Sequence, residues 1–276
     1  MNNLSLNIKG KLIDFKTPKI MGILNISDDS FYDGNKYNSK SKALKQTEKM
    51  LNEGADIVDI GAFTTKPGSK LISVEKEKQI LFPIIETLIY NFPDSLFSID
   101  TFRSEIAKKS IEIGASIIND ISGGEYDKNM FKIISKYKVP YVMMHIKGTP
   151  NTMQLNPKYK NVLVHLLNFF NKQVKIAKDN GVTDIIIDPG FGFGKSLNHN
   201  YELLKGISLF KEINCPILIG VSRKSMIYNI LNGNPNKSLN GTTVLNTYAL
   251  INGVNIIRVH DVKEAKECIS LCEYLY

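Results

Sequence analysis

The chain has 276 residues, 43% of them hydrophobic, which is enough to bury a large core in one α/β domain or two small ones. Its formal net charge is +8, from 35 lysines and arginines against 27 acids. No basic stripe interleaved with aromatics occurs, which argues against a nucleic-acid face and leaves an anionic small substrate as the use of that charge. Cys215, Cys268 and Cys272 form no metal-ligand or disulfide framework, and the N-terminus carries no charged-then-apolar signal. With no apolar run long enough to span a bilayer, a soluble, cytoplasmic protein is expected.

Taken in order, the chain opens on a hairpin-like stretch from Leu4 to Phe15 that turns at Gly10. Eight apolar strand-like runs follow, each leading into a polar or glycine-containing loop and then a helical pattern. The first four are KIMGILNIS ending at Ser27, DIVDIGAF ending at Phe63, LFSIDT ending at Thr101 and SIINDISG ending at Gly123. The second four are PYVMMHI ending at Ile146, DIIIDPG ending at Gly190, PILIGVS ending at Ser222 and NIIRVHD ending at Asp261. Eight β-then-α units in this length give an α/β fold of the TIM (β/α)8 class, residues 18–276, preceded by the hairpin in residues 1–17. A doubly wound open sheet is the alternative.

In a barrel the chemistry collects at the C-terminal ends of the strands. The informative polar residues fall there: Asn25, Asp59, Asp100, Asn119, His145, Asp188, Ser222 to Lys224, and Arg258 with His260. The stretch DIIIDPGFGFGKS, Asp184 to Ser196, reads as a buried parallel strand that ends in a carboxylate and opens into a loop with glycine at every second position. The plainer reading is a glycine-rich turn with a surface aspartate. Arginine occurs only at 103, 223 and 258, each at or just past a strand end. Its planar fork suits phosphate or carboxylate, against the alternative that these arginines pair with loop acids. Asp100, Asn119 and Asp188 can converge from three strands on a ring edge with adjacent N–H donors and an acceptor. A metal cluster would add histidine or further carboxylates at ligand spacing, so Mg²⁺ would be held mainly by phosphate oxygens.

MGILNIS followed by DSFYDG, then SIDTF, INDISGG, MHIKGTPNTMQ, IDPGFGFGKS, GVSRKSMI and IIRVHDV, in series through nearly the whole chain, resemble the dihydropteroate synthase family. The resemblance implies a homodimeric barrel of folate biosynthesis and a sulfonamide target. Its reaction joins 4-aminobenzoate to the pyrophosphate ester of 6-hydroxymethyl-7,8-dihydropterin and releases pyrophosphate with Mg²⁺ present. It assigns the pterin to Asp100, Asn119, Asp188 and Lys224. Asn25 falls to the metal and pyrophosphate, and Arg258 and His260 to the anion. Thr65, Pro67, Phe193 and Ser225 surround 4-aminobenzoate, and Lys66 meets a phosphate. Asp100, Lys224, Arg258 and His260 are the expected catalytic groups. Two loops depart from the family pattern. Ser27-Asp28-Asp29-Ser30-Phe31 lacks a proline, and Ala62 to Gly68 has Lys66 where arginine is usual. A methyltetrahydrofolate-dependent methyltransferase and a non-catalytic pterin-binding relative are the rival readings.

Overall fold

The computed structural model describes residues 4–26, 36–62 and 72–275. Thr65, Lys66, Pro67, the Ser27–Phe31 loop and the segment from Phe63 to Gly68 lie outside the described residues.

Strands β1, Ser5–Ile8, and β2, Lys11–Asp14, pair antiparallel. Lys9 and Gly10 between them both have positive φ, 51° and 81°, the requirement of a two-residue hairpin turn whose twist matches that of its strands. The Asn7 Oδ1 accepts the Gly10 N–H at 2.9 Å and fixes the turn. The hairpin expected at Gly10 is therefore present.

The eight parallel strands are β3 (Lys19–Asn25), β4 (Ile57–Gly61), β5 (Leu96–Asp100), β6 (Ile117–Asp120), β7 (Tyr141–Met144), β8 (Ile185–Asp188), β9 (Leu218–Ile219) and β10 (Ile256–Val259). They are hydrogen-bonded in the order β8-β7-β6-β5-β4-β3-β10-β9. The two ends of that list meet through the parallel bridge Ile187–Ile217, where the Ile187 N–H donates to the Pro216 carbonyl at 2.9 Å. The sheet thus closes into the expected barrel, and the open doubly wound alternative is excluded. Closure there is thin because Pro216 has no N–H to offer the ladder.

Among the described residues, eight longer helices lie between and after the strands, Lys36–Asn52, Val74–Asn91, Ser104–Ile113, Met130–Tyr137, Val162–Asp179, Leu197–Lys205, Leu239–Ile251 and Val262–Glu273, with a single-turn helix, Ser225–Tyr228, after β9. Several start where the sequence supplies a cap. Ser73 accepts from the Lys76 N–H at 3.2 Å, Asn161 from Val164 at 2.9 Å, and Ser196 closes a reciprocal capping box with His199. His199 is thereby a structural histidine. No helix among the described residues is long and apolar enough to cross a membrane.

Side-chain alternation along the strands places the site. Met21, Ile57, Ile117, Val142, Ile186, Leu218 and Ile256 meet in one cluster inside the barrel, and Leu6 and Ile8 of the hairpin pack onto it from below. The hairpin is a plug. Two residues further along several strands the inward position turns polar: Ile57 gives way to Asp59, Ile117 to Asn119, Ile186 to Asp188 and Ile256 to Arg258. The lumen is apolar at the bottom and ionic at the top.

Candidate functional site

Arg258 of β10 reaches across the lumen to two carboxylates. Its Nε donates to Asp59 Oδ2 at 2.7 Å and its Nη2 to Asp100 Oδ2 at 3.2 Å. Asn119 Nδ2 donates to the same Asp59 oxygen at 3.0 Å. The second oxygens of both acids, Asp59 Oδ1 and Asp100 Oδ1, are buried and have no hydrogen-bond partner among the described residues. An orphaned buried carboxylate oxygen carries a desolvation cost that a ligand N–H would relieve. Burial, then the Asp59 charge, pushes the Asp100 carboxyl up to about 7, against the pull of Arg258. Asn25, at the tip of β3, stands beside this cluster. A Cβ on Gly61 would fall 3.6 Å from Asp100 Oδ2 and 3.8 Å from Asn25 Oδ1, so glycine leaves the space between them open.

The opposite wall is built by the glycine run after β8. Gly190, Gly192 and Gly194 all have positive φ, from 64° to 80°. A Cβ on Gly190 would sit 2.1 Å from the His145 carbonyl oxygen, and one on Gly194 2.5 Å from that of Lys147. The loop therefore lies directly on the backbone after β7, which only glycine permits. It presents the Phe191 carbonyl, which accepts from Lys224 Nζ at 2.6 Å, and the Phe193 ring, whose centroid is 4.6 Å from the same nitrogen. Phe193 is thus more than a packing aromatic: it faces a cation. Desolvation lowers Lys224 to about 8, with Asp188 opposing the shift. Desolvation raises Asp188, with Lys224 and the Gly190 N–H, 2.8 Å away, opposing it.

At the rim, His260 N–H donates to Ser222 Oγ at 3.2 Å, while that hydroxyl lies 3.0 Å from His260 Nδ1. Desolvation, then the charge of Arg258, lowers this imidazole's pKa, so the ring is neutral at pH 7 and acts as a hydrogen-bond donor rather than a cation. Ser225 opens the short helix Ser225–Tyr228 directly after Lys224.

The arginines divide. Arg103 pairs with the buried Glu77 and donates to the Ile72 carbonyl at 2.6 Å. Arg223 forks onto Asp261, with Nε to Oδ2 at 3.0 Å. Of the three, Arg258 alone enters the polar lumen, so the expectation of an arginine-lined mouth is corrected: for Arg103 and Arg223 the local acid is the partner. His145 also points away from the lumen. Its ring packs at 4.8 Å against Phe169 and 5.4 Å against His165, and burial holds its pKa near 2.

Two residues carry more than the sequence suggested. Asp59, recognised only as a strand-end acid, joins Arg258 to Asn119 at the centre of the network; its inward parity with Ile57 is the signal that finds it. Lys195 is buried and contacts His145 and the Phe193 carbonyl, with no marker beyond its place at the end of the glycine run. No group of three or more His, Cys, Asp or Glu among the described residues could hold a metal ion. Asn25 offers one neutral oxygen, the kind of partial shell that Mg²⁺ completes with phosphate and water.

Residues 21–260 match the profile of the family described as pterin binding enzyme. The dihydropteroate synthase of Escherichia coli is 39% identical over 272 residues, covering 98% of this chain and 96% of that protein. The structure of Yersinia pestis dihydropteroate synthase with a sulfonamide drug superposes with a TM-score of 0.91 at 35% identity, covering 99% of this chain and 98% of that one. That of the Thermus thermophilus enzyme in complex with 4-aminobenzoate gives 0.88 at 31% identity, covering 99% and 100%.

Proposed function

This chain belongs to the family of pterin binding enzymes, and from that premise we infer how its barrel mouth carries out the reaction of a dihydropteroate synthase. The reaction condenses 6-hydroxymethyl-7,8-dihydropterin pyrophosphate with 4-aminobenzoate to give 7,8-dihydropteroate and pyrophosphate. The observation that carries the assignment of groups is the pair of orphaned oxygens on Asp59 and Asp100, surrounded by Asn119, Asp188, Lys224 and Arg258. A ring edge with several N–H donors satisfies the carboxylates, and Lys224 donates to the ring's acceptors.

In this reading the leaving pyrophosphate lies at the Arg258 end. Arg258 neutralises the growing charge and His260, as a neutral ring, donates a hydrogen bond to it. Asn25 would hold Mg²⁺ through its amide oxygen, the phosphate supplying the other ligands; the ion's contribution is further neutralisation of the pyrophosphate. An aniline nitrogen is a weak nucleophile, so early breakage of the C–O bond suits it, and the carboxylate of Asp100 stabilises the resulting pterin-methyl cation electrostatically. Phe193 and Ser225, with Thr65 and Pro67, receive 4-aminobenzoate, and Lys66 meets a phosphate.

The test is pyrophosphate release by the purified protein from the pterin ester and Mg²⁺, with and without 4-aminobenzoate. Release matched one-to-one by dihydropteroate is the expected result. Tight binding of the ester without release identifies a non-catalytic pterin-binding protein. Methyl transfer from a methyltetrahydrofolate, with no use of the ester, identifies a methyltransferase.

The working form is a homodimer in the cytoplasm. The support is an apolar face shared by the last two helices, where Leu239, Leu271 and Leu275 are exposed around a groove that also contains Cys268 and Cys272. A second copy of the chain covers this face. Sedimentation velocity at micromolar concentration is expected to give twice the chain mass, falling toward one chain in Leu271→Glu; a monomeric wild type overturns the dimer.

A further inference from the structure

Lys195 is a lysine with 2% of its surface exposed, outside the set of groups placed against the substrates. Its Nζ lies 2.9 Å from the Phe193 carbonyl oxygen, 3.2 Å from the His145 carbonyl oxygen and 3.0 Å from His145 Nδ1. The amine therefore ties the loop after β8 to the tip of β7. Other groups hold the same loop: Asn200 Oδ1 accepts from Gly192 N–H at 2.7 Å, Gln154 donates to Gly192 O at 2.6 Å, and Tyr159 donates to Gly194 O at 2.8 Å. Among the described residues, Lys195 is the side chain that grips the Phe193 carbonyl itself.

That grip has a defined target. The loop between Asp188 and Lys195 fixes Lys224 from two sides, by the Phe191 carbonyl at 2.6 Å and the Phe193 ring at 4.6 Å. Lys224 otherwise stands in extended backbone just before the single-turn helix Ser225–Tyr228, after β9, the briefest strand of the barrel, where its own backbone has little ladder to hold it. Gly190 and Gly194 cannot be exchanged for stiffer residues, because their close contacts with the backbone of His145 and Lys147 exclude side chains. A buried donor reaching back from the end of the loop supplies what they lack.

We propose that Lys195 is a positioning residue: by clamping the Phe193 peptide to His145 it sets the height of the loop that aims Lys224 at the pterin. This rests on the reading of Lys224 as a pterin contact. Lys195→Met keeps the length and burial of the side chain while removing its donors, so it loosens the loop with little change in volume.

The experiment is a double-mutant cycle on the affinity for the dihydropterin pyrophosphate ester, using wild type, Lys195→Met, Lys224→Ala and the double variant, each confirmed as folded by circular dichroism and melting. Lys195→Met is expected to weaken binding on the order of tenfold when Lys224 is present, the size of effect that misplacing one contact produces. With Lys224 already replaced, the same change is expected to cost no more than about twofold, because the aimed group is gone. An equal loss in both backgrounds, or none in either, overturns the positioning role. If Lys224→Ala alone binds the ester as wild type does, it is the pterin-site reading that fails, and the inference falls with it. Should Lys195→Met not fold, Lys195→Gln, which keeps an N–H donor one atom short, is used in the same cycle with the same criteria.

Discussion

Arg258→Met is expected to lower the rate of pyrophosphate release on the order of a thousandfold and to destabilise the protein by about 3–5 kcal/mol. The two losses have different origins. The first arises because the guanidinium is the fixed cation at the end of the lumen where the leaving group develops charge. The second arises because the same guanidinium neutralises Asp59 and Asp100, at 2.7 and 3.2 Å, and its removal strands two buried carboxylates. The stability loss has a pH signature. The Asp100 carboxyl already stands above its ordinary value of 3.8, and without Arg258 it rises further. The native variant then binds more protons than the unfolded chain in the interval between those two values, so lowering the pH favours the native state. The melting deficit relative to wild type is therefore expected to be smaller at pH 5.5 than at pH 8. Adding Asp59→Asn to Arg258→Met is expected to restore part of the stability and none of the activity, because it removes a stranded charge without replacing the cation. A variant that keeps wild-type turnover refutes the role of Arg258; one that loses turnover but melts like wild type at every pH refutes the account of the buried acids.

What the sequence made legible follows one physical rule. In a closed parallel barrel both faces of a strand are buried, so alternation does not separate apolar from polar; it separates lumen from helix layer. Ile57-Asp59-Gly61, Ile117-Asn119 and Ile186-Asp188 could be placed by that parity alone. It also sorts neighbours: Asn119 enters the lumen, while Asp120 turns outward to accept from Tyr141 Oη at 2.7 Å and from Ser122. The same parity, counted from Val142 and Met144, turns His145 outward, and the sequence could have decided that histidine. The arginines could not be decided that way. Their scarcity pointed to a shared anion site, but Glu77 lies 26 residues from Arg103 and Asp261 lies 38 from Arg223, and neither pairing leaves a trace in local pattern. Lys195 was hidden for a like reason, since its role exists only once β7 and the loop after β8 are side by side. Thr65, Lys66 and Pro67 lie outside the described residues, so for them the sequence remains the argument.

Lys224→Ala is expected to lower kcat/KM for the pterin ester by at least about a hundredfold, the worth of a charge-assisted hydrogen bond in a desolvated site. The wild-type pH profile carries the sharper test. Desolvation lowers the ammonium of Lys224 from 10.5 to about 8, so free enzyme loses the donating cation as pH rises through that region. The kcat/KM profile of the wild type, which reports the free enzyme, is accordingly expected to fall on the alkaline side with a midpoint near 8, and this limb is expected to be absent from the residual activity of Lys224→Ala. Stability moves in the opposite sense. Between about 8 and 10.5 the unfolded chain binds the proton that the native state has released, so the native state gains stability relative to the unfolded one as pH rises through that window, and the penalty for burying the charge is fully present below it. Lys224→Met is thus expected to melt higher than wild type at pH 7 and to lose that advantage toward pH 10, while its turnover stays low at both. A group retained in the lumen against its own folding energy, with its protonation limb in the wild-type profile, is one held there for the ligand. An alkaline limb that persists unchanged in Lys224→Ala would assign the titration to another group and remove Lys224 from the site.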